Sequence, residues 1–163
     1  MIAATAGGGH SLPVREDGSV LGWGLNDSGQ TNAPALTNAI AVAAGNKHSL
    51  ALRDNGTVVA WGRNTEGQTN SLGLTNVIAI AARGNQSLAL MRNGTGTNWG
   101  NTFGLIPSNL TNAIAVAAGT NFCLALRSNG SVMAWGGNGS GTNVPAGLTN
   151  VVAIAAGDST RWL

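Results

Sequence analysis

Apolar residues along this chain alternate with small or polar ones in short bursts, separated by glycine and asparagine. In "AIAVAA" (39–44), Ile40 and Val42 fall on one side of an extended chain, and Ala39, Ala41 and Ala43 on the other. In "HSLAL" (48–52) Leu50 and Leu52 share a side, and in "TVVAWG" (57–62) Val59 and Trp61 do. A period of two marks a β-strand, whose successive side chains point to opposite faces. No stripe at the helical period of 3.6 residues runs through the chain, so helix is not expected. Asn55-Gly56 separates the last two bursts, and Asn93-Gly94, Asn129-Gly130 and Asp17-Gly18 stand at matching places. These pairs accept positive φ, which predicts a tight hairpin of type I′.

The bursts keep a beat. The phrase "LTNAIAVAAG" occurs at 36–45 and again, letter for letter, at 110–119. Trp-Gly falls at Trp23, Trp61, Trp99 and Trp135, with spacings of 38, 38 and 36. The asparagine of Thr-Asn falls at Asn38, Asn76, Asn112 and Asn150. The two-residue shortfall lies in "GNTFGLIPSNLTN" after Trp99, against "GRNTEGQTNSLGLTN" after Trp61. The units are therefore 1–38, 39–76, 77–112 and 113–150, with 151–163 opening a fifth.

Strands that are apolar on both sides, one side bulky and one small, need cover on both. Stacking copies of the unit, large face on small, supplies it. A repeat of about 40 residues carrying three or four short strands predicts the blade of a β-propeller. The expected fold is all-β: four blades of 36–38 residues plus a partial fifth, forming an incomplete, open propeller. Two local departures stand out. Pro13 occupies the place of Ala51 and brings no N–H to the ladder. Unit three reads "GTGTNWG" where unit two has "GTVVAWG".

Composition narrows the function. Hydrophobic residues make up 43% and charged ones 9%, which argues against a disordered chain. The net charge is +2 without any cluster of Lys and Arg, so nucleic acid is not an expected partner. No apolar run is long enough for a membrane-spanning helix, and no membrane partner is expected. The lone Cys123 excludes an internal disulfide. The first residues lack the charged and apolar regions of a secretory signal. The chain is expected to be a stretch of a longer array, and an extracellular place would follow only from a secreted parent.

Candidate chemistry is thin. His10-Ser11 and His48-Ser49 cannot act as nucleophile and base together, because adjacent strand residues point to opposite faces. The histidines are expected to pack or cap at the strand start. Cys123 stands where other units have Ser49 and Ser87, as a small buried residue. Two histidines and one cysteine in different units make no zinc site, and the six acidic residues lack calcium-loop spacing. No phosphate-binding motif occurs. No cofactor, metal or enzymatic activity is expected. The Trp-Gly tryptophans are expected in the core, and Arg15, Arg53 and Arg127 on a solvated rim.

The phrases "AAGNKHSLALRDNGTVVAWGRNTEGQ" and "AAGTNFCLALRSNGSVMAWGGNGSG" resemble the regulator of chromosome condensation-type repeat. The order of glycine, His-Ser-Leu, Asn-Gly and Trp-Gly carries the resemblance. "VVAWG", "GQTN" and "GLTNV" are closest to its compact bacterial form, known from secreted arrays and from propeller-type β-lactamase inhibitors. The resemblance implies a seven-bladed propeller used as a binding platform, which four units do not close. The function it implies is a non-catalytic scaffold for protein or other macromolecular binding. An enzyme-inhibitor or guanine-nucleotide-exchange module is the alternative.

Binding residues belong where the repeat varies on a rigid frame. The turn after "AAG" varies most, which singles out His10, Asn46, Lys47, His48, Asn85, Gln86, Asn121, Phe122 and Asp158. A protein partner is expected there. Further repeats, or self-association, would complete the ring.

Overall fold

Twelve short strands form four three-stranded antiparallel sheets, one per unit, in a computed structural model that describes residues 3–71, 73–137 and 142–157. The first sheet holds β1 (Ala3–Ala6), β2 (His10–Val14) and β3 (Trp23–Gly24). The second holds β4 (Ala39–Ala44), β5 (His48–Arg53) and β6 (Val58–Gly62). The third holds β7 (Val77–Arg83), β8 (Gln86–Met91) and β9 (Gly96–Gly100), and the fourth β10 (Ala113–Ala118), β11 (Phe122–Arg127) and β12 (Val132–Gly136). No α-helix occurs among the described residues.

The cross-strand register shows how the two faces differ. In the second sheet Ala43 pairs with Leu50 and Leu50 with Ala60, while Ala41 pairs with Leu52 and Leu52 with Val58. This face carries a leucine ridge on its middle strand. On the other face Val42 pairs with Ala51 and Ala51 with Val59, and Ser49 pairs with Trp61. That face is a groove, small in the middle and bulky at both sides. The expected bulky-on-small stacking is therefore right for the middle strand only. Each face mixes large and small residues, because neighbouring strands alternate in opposite phase.

Ridge enters groove at each step. Leu50, Leu52 and Val58 of the second blade pack on Ile80, Ala82, Ala89 and Trp99 of the third. Leu88 and Leu90 of the third pack on Val116, Cys123, Ala125 and Trp135 of the fourth. Val14 of the first packs on Val42, Ala51, Val59 and Trp61 of the second. Leu12, Leu50, Leu88 and Leu90 are wholly buried, each stabilising the stack by about 1.5–3 kcal/mol.

One further expectation is corrected. A bulge separates Ala39 from Ala41, Val77 from Ala79 and Ala113 from Ala115. The extra residue is Ile40, Ile78 or Ile114, and all three are exposed rather than packed with Val42 and its equivalents. A bulge leaves one residue unpaired and re-aims its side chain, which no period-two reading anticipates.

The first strands of successive sheets pack on one another and the third strands do not, so the blades fan out from a common hub. The sheets pack in chain order, and the first does not close on the fourth. The result is an open propeller. Its joints are the Leu-Thr-Asn phrases. Leu36, Leu74 and Leu110 pack into the three cores, and Asn76, Asn112 and Asn150 turn the chain at φ of 58°, 56° and 58°. The next residue then donates its N–H to the hairpin glycine behind it: Val77 to Gly56, Ala113 to Gly94 and Val151 to Gly130. The first sheet is frayed. β3 pairs with β2 only through His10–Gly24 and Ser11–Trp23; pairing lapses at Leu12 and Pro13 and resumes as the single bridge Val14–Val20.

Candidate functional site

The turns after "AAG" lie side by side along one end of the fan and are tied to each other. The Gly8 N–H donates to the Gly45 carbonyl at 3.1 Å, and the Asn46 N–H to the Gly84 carbonyl at 2.8 Å, each bond crossing from one blade to the next. Within each blade the loop after Trp-Gly hangs on the same turn. Leu25, Arg63, Asn101 and Gly137 donate their N–H to the carbonyls of Gly9, Lys47, Asn85 and Asn121, at 2.7–2.9 Å. The rim thus formed is a lattice of backbone bonds that carries variable side chains.

The nine sequence-derived residues divide. Asn46 and Asn121 are exposed on this rim, and Lys47 and Asn85 are half-buried there. The Lys47 ammonium meets the Asp27 carboxylate of the preceding blade's loop, and this bond holds the Asp27 carboxyl below its ordinary range. A pair this open to solvent adds little stability. Phe122 is half-buried, with its ring lying against Gly119. Asp158 lies outside the described residues. His10, His48 and Gln86 do not face outward: they are 3%, 0% and 1% exposed, and they point between blades.

What those three do is repeated chemistry. His48 Nε2 lies 3.0 Å from the Ser87 hydroxyl of the next blade, and His10 Nε2 lies 2.9 Å from that of Ser49. Ser87 donates to the Gln68 carbonyl at 2.8 Å, and Ser49 to the Gln30 carbonyl at 2.7 Å. The same two carbonyls accept the indole N–H of Trp99 at 3.0 Å and of Trp61 at 2.9 Å. A serine hydroxyl has one proton. Since that proton goes to the carbonyl, histidine must donate from Nε2, which leaves Nδ1 bare. Nδ1 of both rings indeed has no partner. Burial, with His10 nearby, depresses His48 to about 4, so the ring stays neutral. Each contact is a four-part clamp: histidine and glutamine carbonyl from one blade, serine and tryptophan from the next.

Gln30 and Gln68 were absent from the sequence-derived set, although both are wholly buried. Their signal was the recurring Gly-Gln-Thr-Asn at 29–32 and 67–70. Each glutamine side chain also closes its own loop: Gln68 Oε1 accepts the Glu66 N–H at 2.9 Å, and Gln30 Oε1 the Ser28 N–H at 2.9 Å. The tryptophan's neighbour matches this packing. A Cβ on Gly62, at φ 96°, would stand 2.6 Å from the Lys47 carbonyl oxygen and 3.2 Å from Gln30 Cα.

The third contact is degenerate. The loop after Trp99 is two residues short and has no glutamine. Trp135 Nε1 accordingly finds no acceptor. Gln86 replaces histidine and turns to the Gly119 carbonyl at 2.7 Å, while Cys123 replaces serine with its sulfur 3.5 Å from Gln86 Oε1. Cys123 is therefore the small residue left where a strong hydroxyl donor has lost its carbonyl. Burial pushes its thiol up to about 12. Among the described residues no group of metal-ligating side chains gathers.

The regulator of chromosome condensation (RCC1) repeat model matches residues 2–30, 39–68 and 113–142, together more than half of the sequence. The chain belongs to this repeat family. The unit left unmatched is the third, which lost its glutamine. No curated protein sequence matched. Among solved structures, Prp20p from Saccharomyces cerevisiae is similar at TM-score 0.75 and 20% identity, over 96% of this chain and 53% of that one. The CRINKLY WD40 ectodomain of the Arabidopsis thaliana receptor kinase ACR4 gives 0.74 and 22%, over 95% and 57%. Human WBSCR16 gives 0.70 and 22%, over 91% and 52%. These likenesses bear on the fold. The repeat-family chain spans about half the length of each of them.

Proposed function

We propose that this RCC1-repeat chain is a non-catalytic scaffold, an arc of a longer propeller, that binds a protein partner on the rim of turns bearing Asn46, Lys47, Asn85 and Asn121. The interlocked backbone of that rim carries the reading. It holds residues that differ from blade to blade at fixed separations, which is what a rigid recognition surface needs. Propellers of this family serve in protein recognition: Prp20p is described with binding properties toward Gsp1p and histones, and yeast RCC1 (Prp20) in complex with Kap60. His10, His48 and Gln86 hold blades together and are not part of the recognition set.

One observation favours a second reading, in which the partner lies on the opposite end of the fan. The bulge residues Ile40, Ile78 and Ile114 stand in a row there, 46%, 39% and 56% exposed. A shallow groove of about 260 Å³ runs beside the last, lined by Arg92, Asn93, Asn112, Ile114 and Ser128.

Affinity capture from an extract of the source organism separates the two. The expected result is that Lys47→Glu/Asn121→Arg, with an unchanged melting temperature, loses a protein that both the parent chain and Ile78→Asp retain. Loss with Ile78→Asp alone would move the site to the opposite end. Retention by all three would contradict both rims.

A further inference from the structure

Three groove faces are covered among the described residues, and each receives the middle-strand ridge of the preceding blade: Val14 from the first, Leu50 and Leu52 from the second, Leu88 and Leu90 from the third. The fourth groove face, on the first blade, is open. Trp23 is 54% exposed there, and Leu21 and Leu25 beside it are 50% and 46% exposed. Ser11 and Trp23 are cross-strand partners on this face, as Ser49 and Trp61 are on the second blade. At the second and third blades serine and tryptophan both donate to a glutamine carbonyl, and serine accepts from histidine. On the first blade the same two side chains make no such bond.

We infer that the open face of the first blade is a docking site for a further blade of the histidine–glutamine class: a middle-strand leucine ridge, a histidine at the strand entry opposite Ser11, and a Gly-Gln loop whose carbonyl takes Trp23. The inference rests on the reading of the chain as an arc of a longer propeller, and it names the chemistry of the piece that extends the arc. Continuity with the existing interface carries it, since the two complete clamps use the donor set that stands unused here. It also separates this occupant from a second copy of the chain docking head to tail. The fourth blade has Phe122 in place of histidine, and its loop, residues 137–143, is one residue shorter than 63–70 and contains no glutamine. It would bring neither the Nε2 donor nor the loop that positions the carbonyl.

The test extends the full chain at its N-terminus with a second copy of residues 39–76, which continues the repeat in register. The readout is hydrogen exchange of the assigned Trp23 indole N–H by NMR. With the native extension the exchange is expected to slow at least tenfold relative to the parent chain, with a shift of the indole signal toward those of Trp61 and Trp99. An extension carrying His48→Phe and Gln68→Gly in the added copy should leave Trp23 exchanging as in the parent. Ser11→Ala in the receiving blade, which leaves the added blade untouched, should remove most of the protection conferred by the native extension. Equal protection by the native and altered extensions would overturn the requirement for histidine and glutamine while leaving the longer-propeller reading intact. No protection by either would overturn both. Slowed exchange in the unextended chain on raising its concentration would overturn the exclusion of a second copy.

Discussion

Single residues in the clamps set much of the chain's response to pH and to mutation. His48 is neutral, buried and without a partner on Nδ1. Its folded pKa of about 4 lies below the ordinary 6.5, so between these values the unfolded chain binds the extra proton. Stability from this group is constant above pH 6.5, falls as the pH drops toward 4, and is then lost by of the order of 3 kcal/mol. Asp17, Asp27 and Glu66 are also held low, but by hydrogen bonds from neighbours. Their contributions begin to fall at about pH 5, as the unfolded carboxylates start to take up protons, which leaves the window from 6.5 to about 5 to the histidines. Urea melts across that window should slope downward for the parent. His48→Gln, the residue present at Gln86, should flatten the slope, and an equal slope in both would refute the assignment. Ser87→Ala strips the acceptor from the His48 donor and should cost about 1–3 kcal/mol, more than Cys123→Ala, whose sulfur makes only one weak contact. Cys123 itself should resist iodoacetamide at pH 8 in the native state, because alkylation needs the thiolate that burial disfavours. Rapid labelling of folded protein would contradict the placement of this residue.

At the scale of elements, the joint between blades is as specified as the strands. Asn76 sits at φ 58°, a left-handed conformation that costs a residue with an ordinary side chain roughly 1–2 kcal/mol. Asn76→Ala should therefore lower stability by about 1 kcal/mol, while Asn76→Gly should be near neutral; calorimetric melts of the two would decide, and equal losses would contradict the left-handed joint. Strands, blade count and the place of each hairpin were legible because each rests on local pattern: alternation in "HSLAL", Asn-Gly at the turn, Trp-Gly on a beat of 38. The hairpin type was not: only the glycine of each pair has positive φ, as at Gly56 (76°), and its N–H donates to the Arg53 carbonyl, which makes a type I turn with a glycine bulge in place of the expected type I′. Pro13 was legible, as a residue at which pairing on the β3 side lapses before the bridge Val14–Val20. Ile40 was not. Whether an extra residue is bulged depends on the partner strand's register, which alternation along one strand does not encode. The clamps were hidden for a related reason. His48, Ser87, Gln68 and Trp99 come from two blades and four separate phrases, so recurrence of Gly-Gln and His-Ser in the same units was their only trace. The histidines were read both as residues that pack or cap at the strand start, which their burial matches, and as variable turn residues, because two other units replace them; that replacement follows the loss of the glutamine loop. Arg127 stays on the expected solvated rim, where its guanidinium donates to the Asn109 carbonyl of the preceding linker at 2.9 Å in an exposed contact.

The whole molecule is an open fan of RCC1-type blades, clamped by histidine and glutamine at its first two steps, packed without that clamp at the third, and uncovered on the groove face of its first blade. The fan places three kinds of tryptophan in one chain. Trp61 and Trp99 are bonded to glutamine carbonyls, Trp135 is buried without an acceptor, and Trp23 is exposed. The measurement that tests this most directly is indole N–H exchange for these four side chains in one NMR sample of the unextended chain at low concentration. Strong protection of Trp61 and Trp99 and free exchange at Trp23, unchanged on dilution, are expected. Protection of Trp23 equal to that of Trp61 would mean that the groove face of the first blade is already covered, and would contradict the open arc.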